Sequence, residues 1–143
     1  MSRVKLTMPD RFSFSTQIPV RITDINYGGH VGNDAILSLI HEARLQYLQH
    51  LGYTELNLQG LGLLMVDAAI EFKHELFYGN SLTIAVTAAD ISRSSFNLYY
   101  KMETVKEDKT VVVALVKTGM ICYDYAAKKV ASIPNDVRKS LEA

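Results

Sequence analysis

One long segment of this 143-residue chain carries helical periodicity, and almost everything after it reads as strands. From Ala35 to Leu51 the apolar residues Ile36, Leu39, Ile40, Ala43, Tyr47 and Leu51 recur at spacings of three and four. That spacing makes one apolar stripe on a helix. Asn33 or Asp34 can cap its start, Asp34 also complements the macrodipole, and Gly52 ends it. A first strand is expected from Phe12 to Ile22, with Pro19 marking an edge or a bulge. After the helix come Gly62 to Lys73, Ser81 to Ala89, Ser95 to Val105 and Thr110 to Tyr125. Lys106 to Lys109 forms a polar hairpin tip, Ala126 to Lys129 turns into a short last strand, and Pro134 opens a small C-terminal helix. The layout is α+β, a curved antiparallel sheet wrapped around one long central helix.

The sheet raises a question of cover. Val111 to Val116 is apolar on both faces, so both faces need shielding. One helix shields one face, so a second subunit is expected on the other. No repeat, low-complexity tract or linker-like composition shift divides residues 1–143, which read as one domain.

Charge and cysteine usage narrow the function classes. Fifteen basic residues offset fifteen acidic ones. That balance argues against general binding to nucleic acid or to anionic membrane. The lone Cys122 cannot form an internal disulfide, and its strand context makes it packing rather than a nucleophile. The first residues carry no apolar signal region, and no apolar run approaches the roughly 20 residues that span a bilayer. These features predict a cytoplasmic protein with no membrane insertion. His41, His50 and His74 share no ligand spacing with one another or with a Cys, so no metal site is expected.

The chemistry is concentrated between Asp24 and Asp34. These eleven residues hold two carboxylates, two carboxamides, one imidazole and three glycines, and they run directly into the helix. The N–H groups of a helix's first turn have no intrahelical partner, so such a loop can hold negative charge. Gly28 and Gly29 permit a tight backbone, or the close approach of a bound molecule.

Arg21 to Asn33, followed by His41-Glu42-Ala43-Arg44, resembles the hotdog-fold acyl-CoA thioesterases, in particular the hydroxybenzoyl-coenzyme A thioesterase-like branch. There the loop usually reads Asp-Thr-Asp-x-x-Gly-His-Val-Asn-Asn, and the helix carries Glu-Ala-Arg. The match runs without a gap from Asp24 to Arg44 and extends more loosely to Ile133-Pro134. The resemblance implies a homodimer joining two sheets, often a homotetramer, with active sites at the dimer interface. It implies hydrolysis of an acyl-CoA or acyl-carrier-protein thioester, with coenzyme A as part of the substrate and no separate cofactor.

Carried over position by position, the resemblance puts Asn26 where the family has its catalytic Asp. A carboxamide has no basic lone pair near neutral pH, so Asn26 is expected to orient water or bond the thioester carbonyl. The oxyanion donor falls at the Asn33 backbone N–H, a kind of contact typically worth about 3 kcal/mol of barrier. His30 matches a loop His of related enzymes. Arg93 matches a position that grips coenzyme A phosphate, with Ser95 beside it; Lys128 and Lys129 are further phosphate candidates. Tyr27, Gly28 and Gly29 fall within the substrate-binding part of the loop.

Several roles stay open at this level. Asp24 is either the base that replaces Asn26 or a carboxylate that structures the loop. Glu42 is either a base in an inter-subunit cleft or a partner of a neighbouring Arg or of His41. His30 is either an acid–base group or a ligand of a loop carbonyl. Asp67 either faces a pocket or interface, or is a satisfied structural carboxylate. For function, the alternative to hydrolysis is a hotdog protein that has lost catalysis and binds acyl thioesters or acts structurally.

Overall fold

The computed structural model describes residues 3–143. In chain order it contains β1 (Phe14–Pro19), a 3-10 turn (Ile22–Asp24), α1 (Asn33–Leu51), β2 (Gly62–Phe72), β3 (Ser81–Ala89), β4 (Ser95–Lys106), β5 (Lys109–Asp124), β6 (Lys129–Val130) and α2 (Asn135–Glu142). The long strands lie in the order β1-β3-β4-β5-β2, all antiparallel, with β6 paired to the end of β5. β1 is thus an edge strand, the position Pro19 requires.

The alternation of each strand decides which face meets α1. Ile84, Val86, Leu98, Tyr100, Met102, Ala114 and Val116 are fully buried on one face. Ile36, Leu39, Ile40, Ala43, Tyr47 and Leu48 of α1 share that core, as the stripe predicted. Gly52 ends α1 in the left-handed region at φ 95°, and its N–H bonds back to Leu48 and Gln49 carbonyls. Glu107 and Asp108, both at positive φ, make the β4–β5 hairpin tip.

Three details depart from the sequence reading. β1 stops at Pro19, because Asp24 folds back onto Arg21 and draws the following residues into the 3-10 turn. α1 begins at Asn33, and its N-cap is Gly32 with no side-chain cap from Asn33 or Asp34. The third concerns the face away from α1. There the row Glu71–Leu115–Lys101–Ala85 is crossed by the chain's own N-terminal segment. The Leu6 N–H donates to Glu71 Oε1 at 2.9 Å, and Lys101 Nζ sits 5.2 Å from the centroid of the Phe12 ring.

Among the described residues no helix is long and apolar enough to cross a membrane.

Candidate functional site

The loop between β1 and α1 is a closed structure. Asn26 N–H donates to the His30 carbonyl at 2.9 Å, Gly29 N–H to the Asn26 carbonyl at 3.1 Å, and Gly32 N–H to the Asp24 carbonyl at 3.1 Å. Gly29 takes φ +83°, the turn conformation that its missing Cβ permits. The Asn26 side chain caps the turn from within, its Oδ1 accepting the Gly28 N–H at 2.8 Å. That bond fixes the carboxamide: Oδ1 is taken, and Nδ2 lies on the Gly32 side. Tyr27 stands at the tip, fully exposed.

Val31 N–H donates to the Leu76 carbonyl at 2.7 Å and ties the loop to the chain leaving β2. Between them lies a cleft of about 220 Å³, lined by His30, Asn33, Ile36, Phe72, Leu76 and Val113 among others. Asn33 is the first residue of α1, so its N–H has no intrahelical partner and lies where the dipole favours negative charge. His30 Nδ1 is 3.1 Å from the Val31 carbonyl oxygen. A carbonyl only accepts, so this contact holds the proton on Nδ1 and leaves Nε2 as the basic nitrogen of the neutral ring. Nε2 is 3.9 Å from Glu75 Oε1, too long for a hydrogen bond, and Phe77 meets the ring edge-on at 6.4 Å. Among the described residues the Asn33 N–H has no partner, so the cleft offers an amide donor and a ring nitrogen beside Ile36, Phe72, Leu76 and Val113, with Lys73, His74 and Glu75 also on its wall.

The other sequence candidates lie elsewhere. Asp24 is buried beneath the loop, its Oδ2 accepting the Arg21 N–H at 2.8 Å and its Oδ1 3.3 Å from Arg21 Nη2. Glu42 projects from the opposite flank of α1 into a second groove with Pro19, Arg21, Ser38 and Leu45. Its Oε2 accepts from Gln46 Nε2 at 2.9 Å; His41 and Arg44 pair with Glu55 instead. Ser95 pairs with Ile121, whereas Phe72 of the cleft pairs with Ala114. Seven residues of extended strand put these levels about 23 Å apart. There Arg93 Nε donates to Ser132 Oγ at 2.9 Å, and Ser95 Oγ is 2.6 Å from Ser92 Oγ. Of the sequence candidates His30 and Asn33 line the cleft, Asn26, Tyr27, Gly28 and Gly29 belong to the adjoining loop, and Asp24, Glu42, Arg93 and Ser95 lie elsewhere.

Two further residues resolve structurally. Asp67 sits at a bulge in β2, where its Oδ1 accepts from Lys117 Nζ at 2.8 Å and from the Gly119 N–H at 2.9 Å. The Lys117 ammonium holds its carboxyl below the ordinary value, helped by the Gly119 amide against a small burial effect. Cys122 is fully buried, and burial pushes its thiol pKa up. Among the described residues no group of three or more His, Cys, Asp or Glu is placed to hold a metal ion.

Phe72, Leu76 and Val113 line the cleft without being site candidates by residue type or spacing. Their approach to the loop depends on the long-range Val31–Leu76 bond and on β2–β5 pairing, for which there is no local signal.

The comparisons with known proteins agree with this architecture. A 1,4-dihydroxy-2-naphthoyl-CoA hydrolase of Nostoc punctiforme is 28% identical over 136 residues, covering 91% of this chain and 87% of that protein. A putative esterase of Aquifex aeolicus is 27% identical, with 86% and 93% covered. In structure, a 1,4-dihydroxy-2-naphthoyl-CoA thioesterase from Synechocystis superposes with a TM-score of 0.79 at 21% identity, covering 90% of this chain and 94% of that one. Residues 20–141, from the end of β1 into α2, match the family described as the thioesterase-like superfamily, and the chain belongs to that family.

Proposed function

We propose that this protein hydrolyses an acyl thioester of coenzyme A in the cleft between His30 and the start of α1. The observation that carries the reading is the placement of the Asn33 N–H, without a partner among the described residues, and of His30 on the wall of one cleft. In this reading His30 Nε2 takes a proton from water, and the resulting hydroxide attacks the thioester carbonyl carbon. The Asn33 amide holds the oxyanion. Collapse breaks the C–S bond, and His30 returns its proton to the departing thiolate. Asn26, held by Gly28, offers Nδ2 to orient the water or the substrate. Asp24 keeps the loop closed through Arg21 and takes no part in proton transfer.

The relatives support coenzyme A as the carrier, and two of them are named for an aromatic acyl group. An acyl-carrier-protein thioester remains the alternative carrier. A homodimer fits the same picture. β2 is an open edge that exposes Met65, Val66 and Phe72. Antiparallel pairing of two β2 edges would bring the Gly62 end of one chain, level with Ser95 across β5, toward the Phe72 cleft of the other. Arg93 and Ser95 would then serve the partner's site. The buried, unpaired Cys122 is consistent with a cytoplasmic setting.

The test is steady-state hydrolysis across straight-chain and aromatic acyl-CoA substrates. His30→Gln is expected to lower kcat by about 100-fold or more. Glu42→Ala, on the other groove, is expected to change it little. Equal losses from the two would place the base on α1 and sink the assignment to His30.

The second reading, a thioester-binding protein without catalysis, is favoured by Asn26 itself. Asn26→Asp separates the two, because a carboxylate can still accept the Gly28 N–H and keep the turn. A large gain in hydrolysis marks a retired enzyme; a loss shows that the carboxamide has its own catalytic part.

A further inference from the structure

Among the residues that line the His30 cleft, Glu75 carries the one carboxylate. The acidic side chains around it are already committed. Asp24 is bonded to Arg21, Glu42 to Gln46, Glu55 to His41 and Arg44, Asp67 to Lys117, and Glu71 to Lys73 and the Leu6 N–H. Among the described residues no lysine or arginine pairs with the Glu75 carboxylate. It meets the His30 ring instead, with Oε1 lying 3.9 Å from Nε2.

The backbone around Glu75 is held from several sides. Lys106 Nζ donates to the Glu75 carbonyl at 2.6 Å, the Val31 N–H donates to the Leu76 carbonyl at 2.7 Å, and the Phe77 N–H donates to Asn80 Oδ1 at 2.8 Å. Leu76 is buried. The Lys106 ammonium also sits 5.2 Å from the centroid of Phe77, the ring that meets His30 edge-on. Val31 follows His30 and Leu76 follows Glu75, so their bond ties together the two segments that carry the facing side chains. Support of this kind from adjoining backbone is what a preorganised pair needs.

A separation of 3.9 Å is too long for a direct bond but suits a shared water. A water oxygen about 2.8 Å from each atom subtends an angle of about 90° between them, close to the angle between its own O–H bonds. The His30 contact with the Val31 carbonyl keeps the ring proton on Nδ1, so Nε2 and Oε1 are both acceptors. Two acceptors take both hydrogens of the water and leave its lone pairs free. Solvent reaches both groups, with 31% of the His30 side chain and 62% of the Glu75 side chain exposed.

We propose that Glu75 is a catalytic residue that holds the attacking water jointly with His30. This rests on the thioesterase reading above, and it supplies the carboxylate that Asn26 does not. An oxygen lone pair of the water forms the new C–O bond while Nε2 takes one of its hydrogens as a proton. The other hydrogen stays on the acid product, bonded to Glu75, and the thiolate leaves with the proton that His30 returns. The Glu75 carboxylate faces a charged imidazolium only once that proton has moved, so it favours the transition state over the ground state.

The test is steady-state kinetics and thermal unfolding of the full chain and of Glu75→Gln, His30→Gln and the double variant, on an acyl-CoA that the wild type hydrolyses. Glu75→Gln keeps the shape and one acceptor but loses the charge. Its kcat is expected to fall about 10- to 100-fold, with KM within about twofold of the wild type. The double variant should lose little beyond the worse single one, because both groups serve one water. Melting temperatures should stay together, since the Glu75 side chain is mostly exposed. An undiminished kcat in Glu75→Gln overturns the assignment, as does a loss carried by KM or matched by a fall in melting temperature. Losses that multiply in the double variant overturn the shared water, as does a loss in Glu75→Gln with His30→Gln unaffected. A wild type that hydrolyses no thioester overturns the thioesterase reading and this assignment together, whereas full activity in Glu75→Gln overturns the assignment alone.

Discussion

Arg44 Nη1 on α1 lies 3.3 Å from the hydroxyl of Tyr100 on β4, and both residues are buried in the core. The pair does not stand alone. Tyr100 Oη is 2.8 Å from Thr118 Oγ1, and Arg44 Nε donates to Glu55 Oε1 at 3.2 Å. Glu55 also meets His41 Nε2 at 2.9 Å. The network pins α1 to the sheet and to the loop before β2. Burial pushes the Tyr100 hydroxyl pKa up, so it remains a neutral donor and acceptor. Arg44→Met removes the charge and leaves Glu55 with His41 alone and Tyr100 with Thr118 alone, and a loss of about 2 kcal/mol is expected in denaturant unfolding. Tyr100→Phe should cost about 1–2 kcal/mol, since Arg44 keeps Glu55.

Tyr47 points the other way energetically. It is fully buried, and its hydroxyl finds no hydrogen-bond partner among the described residues. Ser13 comes near it, but Ser13 Oγ lies 3.4 Å from Thr87 Oγ1. Burial pushes the Tyr47 pKa to about 12. An unsatisfied buried hydroxyl carries a desolvation cost, so Tyr47→Phe is expected to raise stability by about 1 kcal/mol. A lower melting temperature for this variant would mean that the hydroxyl is satisfied in solution.

Gly62 opens β2 against the Tyr125 ring. A Cβ there would sit 2.1 Å from Cε2 and 2.7 Å from Cδ2 of that ring. Tyr125 in turn packs edge-on against Tyr123 at 5.1 Å. Gly62→Ala must displace the pair, with an expected cost of about 1–3 kcal/mol. In Gly62→Ala/Tyr125→Ala the clash is gone, and the effect of the first substitution should largely vanish in a double-mutant cycle.

Asp67 gives stability a shallow acid dependence. Its folded pKa lies below the ordinary 3.8, so its bonds to Lys117 and Gly119 contribute fully above that value. The contribution is lost as pH falls through the lowered folded value. The carboxylate is mostly exposed, so solvent screening keeps the effect small. In urea midpoints the wild type should exceed Asp67→Asn near neutral pH, and the two should converge in acid.

Local periodicity made much of the fold legible. The α1 stripe, Gly52, the edge position of Pro19 and the Lys106–Lys109 tip each depend on residues a few positions apart. The N-terminus of α1 was misread because Asn33 and Asp34 are both good caps by type, whereas the loop closure through Asp24 and Gly32 sets the helix start. Asp24 itself was ambiguous until its contact with Arg21 was visible. His30 was legible as a candidate, but its basic nitrogen depends on a contact with the Val31 carbonyl that residue types do not encode. The far wall of the cleft, Phe72, Leu76 and Val113, lies far along the chain, and β2–β5 pairing and the Val31–Leu76 bond bring it near. The N-terminal segment has no periodicity at all, so its path over Glu71 and Lys101 was invisible.

The strand order has a consequence for how the chain must be made. β3, β4 and β5 follow one another and can zip as each leaves the ribosome, but β2 pairs only with β5. During synthesis the α1 stripe and the apolar residues of β2 therefore wait, unshielded, while the whole β3–β4–β5 meander is completed. Pairings between distant segments close late and leave sticky intermediates exposed. A chain arrested before Lys109 is expected to aggregate or to stay bound to chaperones, whereas one arrested after Asp124 should bury β2. The second half of the gene thus acts as the folding checkpoint for the first.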